Sequence, residues 1–348
     1  MKILLLEYIT AGGLNGLPLP ASLLREGTLM RDALLQDFSM LDDVEIVTTY
    51  DTRVSFPAQS QEAIGMAKAA NPIKIWQEML QSCDLALVIA PETDGVLTEL
   101  TQMLEASAVR NLGCNQHAVG IASSKYATYH VLKNANILTI PTYTLNEWLT
   151  SNFESAVSFN DGYVLKPDDG AGCDDTFYFS DKVALQAWLN FHPDKQAGYI
   201  IQPYQVGIPA SISILCKAGK AWVLACNQQM IKLQASNTQT AKLSQDYAIH
   251  YNGCLVNGVN KYHAAFAKLA DSVVEALSGL NGYVGIDVIV DGAAIYVVEI
   301  NPRITTSYIG LHESLNCNPA QLMLDLIDNP SFKLPVNLAA KTIDINLN

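Results

Sequence analysis

Near the end of the chain, two β-branched runs, Gly282–Val290 and Ile295–Asn301, flank an Asp291-Gly292 pair and predict an antiparallel hairpin. This hairpin constrains the fold more than any other segment, because it carries acids where an ordinary core strand would not. A carboxylate without a partner in an apolar setting is costly. Yet Asp287 lies inside the first strand, and Glu299 and Asn301 end the second. A three-residue loop over Gly292–Ala294 would set Asp287 opposite Glu299, and the strand period of two puts Glu299 and Asn301 on one face. Oxygen ligands in that arrangement, with Arg303 beside them, suit a hard cation holding a polyphosphate. The competing reading is a core hairpin whose acids are solvated at its mouth.

The first third of the chain alternates strands and helices. Lys2–Leu6, Val44–Thr48 and Leu85–Ala90 are apolar runs of strand length, with Asn111–Gly113 as a last short one. Helical patterns over Ser22–Gln36, Ile73–Leu80 and Leu97–Ala108 separate them. That order predicts a parallel sheet covered on both faces, with Pro91–Gly95 in a loop at a carboxyl end, where such sheets bind ligands. Around Asn115–Ser124 the composition turns small and polar, and from there the pattern changes. After a helix at Ser124–Asn134, strands at Tyr163–Lys166, Thr176–Phe179, Tyr199–Gln202, Ile212–Leu215 and Ala221–Gln228 mostly follow one another, with one helix at Lys182–Phe191. This predicts α+β structure with antiparallel pairing. A long amphipathic helix over Tyr262–Leu280 precedes the hairpin. Leu233–Val259, rich in Gln, Asn, Ser and Thr, reads as the least structured part, either a lid or a plain surface loop.

A chain of 348 residues with 49% hydrophobic and 16% charged residues describes a soluble protein of two or three domains. The formal net charge of -13, with no Lys/Arg cluster, argues against a nucleic-acid partner. Seven scattered cysteines without C-x-x-C spacing point to a reducing compartment. The apolar N-terminal run ends at Glu7, too short for a signal peptide or membrane span, so a cytoplasmic location is expected. An acidic protein that binds a polyphosphate must gather its few cations locally.

Val164–Cys173 is a strand ending in Lys166, followed by a loop containing Gly170 and Gly172. Such glycines let backbone N–H groups approach phosphate oxygens while the lysine supplies a fixed charge. A plain hairpin turn would look the same. The loop is also rich in acids (Asp168, Asp169, Asp174 and Asp175), which could face a cationic substrate amine or water. Further on, Pro203 interrupts a strand, and the linker from Gln202 to Gly207 has free backbone groups that could meet an adenine edge.

A helix carrying Lys125, the Lys166 strand with its glycine loop, the Gln202–Gly207 linker and the Asp287/Glu299/Asn301 hairpin follow one another in that order. In this order and in its Glu299-Ile300-Asn301-Pro302-Arg303 element the chain resembles the ATP-grasp enzymes, and its N-terminal part resembles the pre-ATP-grasp domain. The resemblance implies a pre-ATP-grasp α/β domain over 1–115, an ATP-grasp subdomain with the Lys166 loop over 116–198, and a second with the hairpin over 199–348. It also implies roles. Lys125 and Lys166 would contact ATP phosphates, and Gly170 and Gly172 would belong to the loop over them. Gln202, where many members carry Glu, would hold adenine with the backbone near Tyr204 and Gln205. Asp287, Glu299 and Asn301 would bind two Mg²⁺ (or Mn²⁺) ions, and Arg303 would steady the transferred phosphoryl group.

Glu7–Gly13, Ser22–Gly27, Ala90–Gly95 and Asn301–Tyr308 together are similar to the ATP-grasp subgroup that joins tyramine to glutamate for methanofuran-type cofactors. That similarity implies a carboxylate–amine ligase working through an acyl phosphate, with glutamate and a tyramine- or tyrosine-type amine as small-molecule substrates. Glu7, Tyr8, Thr10, Glu92 and Ser307 would meet them. Two alternatives stay open: an amino-acid or peptide ligase of the same superfamily with another substrate, and an ATP-binding regulatory protein without turnover. The oligomeric state is open, a homodimer included. The glycines at Ala11–Gly16 only faintly mimic a dinucleotide fingerprint, since Pro18 and Pro20 delay the helix.

Overall fold

The computed structural model describes residues 1–150, 160–170, 172–235 and 246–347. The N-terminal apolar runs pair as β1 (Lys2–Glu7), β2 (Glu45–Asp51), β3 (Glu62–Met66), β4 (Leu85–Ile89) and β5 (Arg110–Asn111). They form a five-stranded parallel sheet in the order β3-β2-β1-β4-β5. Alternate side chains of β1 serve two cores. Leu4 and Leu6 meet Trp76 and Leu97, from α2 (Pro72–Leu80) and α3 (Val96–Glu105). Ile3 and Leu5 meet Leu34 and Phe38 of α1 (Ala21–Ser39). The strand order reverses between β1 and β4, so the loops after these two strands flank a crevice at their carboxyl ends. Sequence patterning does not predict β3. It is short, its EAIGM residues are mostly solvent-facing, and its pairing with β2 holds it.

Two helices then cross over: α4 (Gln116–Ala122), capped by the Asn115 side chain, and α5 (Lys125–Asn134), capped by Ser124. The remaining strands are β6 (Tyr143–Thr144), β7 (Tyr163–Pro167), β8 (Phe177–Phe179), β9 (Tyr199–Pro203), β10 (Ile208–Lys217), β11 (Lys220–Ala235), β12 (Asp246–Val256), β13 (Gly282–Asp291), β14 (Ala294–Asn301) and β15 (Ile343–Asn346). They form an antiparallel ten-stranded sheet, β14-β13-β10-β11-β12-β8-β7-β9-β6, with β15 pairing on β12. The expected succession of a parallel α/β unit and an antiparallel α+β unit is therefore present. Helices α6 (Leu145–Thr150) and α7 (Lys182–Phe191) cover β7–β9 with a small core of their own around Leu165, Phe179 and Trp188. Helix α8 (His263–Ala276) covers β10 and β11. The chain ends with α9 (Leu311–Leu315), α10 (Pro319–Asp328) and β15.

The stretch 233–259 departs from expectation. Its described parts complete β11 and form β12, and residues 236–245 lie outside the described residues. Polar side chains do not prevent a strand whose backbone is satisfied by neighbours, and here Leu233 pairs with Ile249 and Cys254 with Ile345. All seven cysteines are free. Among the described residues, no helix is long and apolar enough to cross a membrane.

The parallel sheet is fastened to the C-terminal segment through α1. Asp37 accepts from the Tyr308 hydroxyl at 2.9 Å and pairs with His312, and Asn318 Nδ2 donates to the Asp37 carbonyl at 2.8 Å.

Candidate active site

The hairpin of β13 and β14 does bring its acids face to face, by a route that differs from the predicted one. The turn is two residues long, with Asp291 pairing with Ala294 and Gly292 at a φ of 58°. The register then slips: Val288 pairs with Val297, but Asp287 pairs with Glu299. Val298 is the extra residue of a β-bulge, and it supplies the offset expected from a longer loop. The bulge also turns the strand over. Val297 and Ile300 both enter the core, three positions apart, while Val298, Glu299 and Asn301 line a cavity with Asp287. In an unbroken strand Glu299 would share the core face of Val297.

That cavity lies between the hairpin, the Lys166 strand and the early part of α1, which contributes Glu26. Lys125 Nζ stands 3.7 Å from Glu299 Oε2 and donates to the carbonyls of Gly170 at 2.6 Å and Asp168 at 3.3 Å. It thus fastens the glycine loop to the start of α5. Burial lowers the pKa of Lys166, and the nearby Glu299 carboxylate works against that. Burial also raises Asp287, and the charge of Glu299 adds to this, pushing Asp287 up to about 8. Glu299 goes the other way: burial would raise it, but Lys125, Lys166 and the proton of Asp287 outweigh burial and hold it below the usual carboxylate range. The two carboxylates thus pull each other's proton affinity in opposite directions, with Gln229 and Asn301 bonded to Asp287. Packing two acids side by side in a dry site is costly unless a positive charge joins them. Their donors are all oxygens, so Asp287, Glu299 and Asn301 fit a hard divalent cation.

Gly170, Gly172 and Cys173 line the same cavity, and Gly172 (φ 66°) and Cys173 (φ 64°) both use left-handed backbone. Burial pushes the Cys173 thiol up to about 12. On the opposite wall are Gln202, Tyr204 and Gln205. Gln202 Nε2 donates to Thr142 at 2.8 Å, which fixes its amide, and Tyr204 N donates to the Gly162 carbonyl at 2.9 Å.

Most of the loop acids are engaged in holding backbone. Asp168 accepts from the Ser124 hydroxyl at 2.6 Å and from Tyr126 N at 2.8 Å, at the start of α5. Asp169 accepts from Asp94 N at 2.9 Å, and Asp175 pairs with Lys195 at 2.7 Å. Asp174 alone of the four lines the cavity.

The residues proposed to meet substrate separate into two groups. Glu7, Tyr8 and Thr10 do not line this cavity. The Glu7 carboxylate accepts from Thr10 N at 2.8 Å, from the Thr10 hydroxyl at 2.7 Å and from Ile9 N at 3.3 Å, so it ties down its own loop. Tyr8 lies edge-on to Trp76. Polar residues at the end of β1 suggest a binding role because of their place, but the Glu7–Thr10 bonds are local and invisible to patterning. Glu92 reaches the cavity edge by pairing with Arg303: Nε donates to Oε1 and Nη2 to Oε2, both at 2.8 Å. Ser307 lines the cavity and belongs to a buried hydroxyl cluster with Ser213, Tyr283 and Thr305. Glu26 of α1, Gln229 of β11 and Tyr251 of β12 also line the cavity and are missing from the sequence-based set. Glu26 is the one that patterning could have found, as an acid next to the buried helix residues Gly27 and Met30.

Comparison with known proteins agrees with this architecture. The family model for an ATP-grasp domain matches residues 122–307, and that for a pre-ATP-grasp domain matches residues 44–119. The tyramine–L-glutamate ligase of Methanocaldococcus jannaschii is 30% identical over 345 residues, covering 98% of this chain and 94% of that one. A solved structure from Archaeoglobus fulgidus, provisionally assigned to the ATP-grasp superfamily, superposes with a TM-score of 0.68 at 20% identity, over 99% of this chain and 100% of the other. The L-amino acid ligase of Bacillus licheniformis shares the fold with a TM-score of 0.61 at 14% identity, over 94% of this chain and 73% of that one.

Proposed function

The chain belongs to the ATP-grasp family of ligases, and from that premise we propose that it joins the carboxylate of glutamate to the amine of tyramine or tyrosine, with ATP cleaved to ADP and phosphate. The same reading puts the reaction in the making of a methanofuran-type cofactor. The observation that carries it is the Asp287–Glu299 pair facing Lys125 and Lys166 across one cavity.

A carboxylate is a poor electrophile. Transfer of the terminal phosphoryl group of ATP to a glutamate oxygen gives an acyl phosphate; the amine then forms the C–N bond as the C–O bond to phosphate breaks. In this scheme Lys125 and Lys166 neutralise phosphate charge, and the Gly170–Gly172 backbone closes on the phosphates. Gln202, with the strand end at Tyr204 and Gln205, holds adenine. Asp287, Glu299 and Asn301 would hold two divalent cations, magnesium or manganese, which when bound spread the negative charge of the polyphosphate. Arg303, bonded twice to Glu92, would steady the phosphoryl group in flight.

The test is ADP formation with glutamate plus tyramine or tyrosine, followed by the mass of the product. A product one water lighter than the sum of acid and amine supports the reading. ADP release that ignores both substrates, while another acid–amine pair gives product, would replace glutamate and tyramine with that pair.

A further inference from the structure

The cavity is built for anions, yet Glu26 points a carboxylate into it. This acid sits in the second turn of α1, close to the glycine loop: a side chain at Gly172 would begin 3.9 Å from its Oε1. The other acids around it are engaged. Glu92 is taken by Arg303, Glu299 by Lys125, Asp168 by the start of α5, Asp169 by Asp94 N and Asp175 by Lys195. Among the described residues no hydrogen bond or ion pair engages Glu26; it feels only the charges of Arg303, which favours its ionised form, and of Asp174, which opposes it. Burial is the main influence on its pKa and raises it.

A carboxylate in that position repels phosphate and has no bonded partner in the fold, only the charge of Arg303, so it can accept a cationic ligand. One carboxylate is not a metal site, and no group of three or more His, Cys, Asp or Glu among the described residues forms one. A primary ammonium fits: a compact charge with three donors, able to bond one carboxylate and its neighbours. We propose that Glu26 is the specificity-determining residue that receives the ammonium group of the amine substrate, at the edge of the cavity where α1 and the glycine loop meet. This rests on the ligase reading above and adds the place from which the amine enters. Asp174, on the cavity wall near Glu26, adds negative charge to the same edge.

The experiment compares two nucleophiles in the full-length enzyme with glutamate, ATP and magnesium at pH 8. The amino group of tyramine (or of tyrosine, whichever the wild type accepts) is an ammonium there, whereas hydroxylamine is neutral and traps the acyl phosphate as a hydroxamate. Hydroxamate formed by the wild type supports the ligase reading independently of Glu26; its absence sinks that reading and this proposal with it. For Glu26→Gln, the ratio of the kcat/KM for tyramine to that for hydroxylamine is expected to fall about 10- to 100-fold, the loss of one charged hydrogen bond, with most of the change in the KM of the amine. Glu26→Asp, which keeps the charge on a shorter stem, should recover part of the ratio. If both nucleophiles suffer equally in Glu26→Gln, or if Glu26→Asp is no better than Gln, Glu26 has no such role.

Discussion

Glu92 and Arg303 face each other through two parallel 2.8 Å hydrogen bonds, and this buried pair joins the loop after β4 to the residue that follows the hairpin. The loop after β4 and the segment after the β13–β14 ribbon therefore share one charged contact at the cavity edge. Removing one partner leaves the other buried without compensation. Glu92→Ala should destabilise the protein by about 3 kcal/mol, seen as a lower midpoint in chemical unfolding, and should also depress ADP formation by freeing the guanidinium. Replacing both residues with methionine should recover much of the stability and none of the activity. A double variant no more stable than Glu92→Ala would refute the pairing argument.

Glu299 stands between two buried lysines and Asp287, so its loss changes charge more than packing. Glu299→Ala is expected to cut magnesium-dependent ADP formation by about 100-fold or more while far-UV circular dichroism stays that of the wild type. Full activity in this variant would remove the metal assignment.

Gly27 occupies the middle of α1, where alanine normally gains about 1 kcal/mol. Here a Cβ would sit 2.6 Å from the Glu7 carboxyl, which is already fixed by Thr10. Gly27→Ala should instead cost about 1–3 kcal/mol. Thermal unfolding decides it: a raised midpoint would show that Glu7 can yield.

Asp51 accepts from Arg53 Nε at 2.9 Å and Nη2 at 2.6 Å, while the same guanidinium donates to the carbonyls of Leu14 and Leu17. Those bonds hold the Asp51 carboxyl below its usual range, with burial opposing them. Because its folded pKa is lower than its unfolded one, the unfolded chain binds the proton first, and stability rises with pH across that interval. The contribution is complete above the ordinary aspartate range and disappears as pH falls through the lower folded value. Asp51→Asn should therefore unfold at a lower temperature than the wild type at pH 7, and the two curves should converge as the solution becomes acidic enough to protonate Asp51 in the folded state. A constant gap across this range would contradict the linkage.

Much of this architecture can be read from residue order. The apolar runs of β1, β2 and β4 and the helices between them declare a parallel sheet because the strands are buried along almost their whole length and the helices along one face. The acids of the ribbon declare themselves because they interrupt β-branched strands. What stays hidden depends on partners far away in sequence. β12 is polar and is held by pairing on both sides, β3 is an exposed edge, and the duties of Asp168 and Asp169 are visible only once α5 and Asp94 are beside them. Glu7 shows the opposite error, since a polar side chain in a ligand-binding place can be used up by its own loop.

The surplus residue Val298 puts the two halves of the last ribbon out of phase. Removing that single residue would restore plain alternation without moving a face: Val297 and Ile300 would stay inward, and Glu299 and Asn301 would stay in the ligand space with Asp287 still opposite Glu299. Swapping Val298 for another side chain leaves that phase untouched. The unequal spacing of the inward residues Val297 and Ile300 marks where the ribbon passes from scaffold to chemistry.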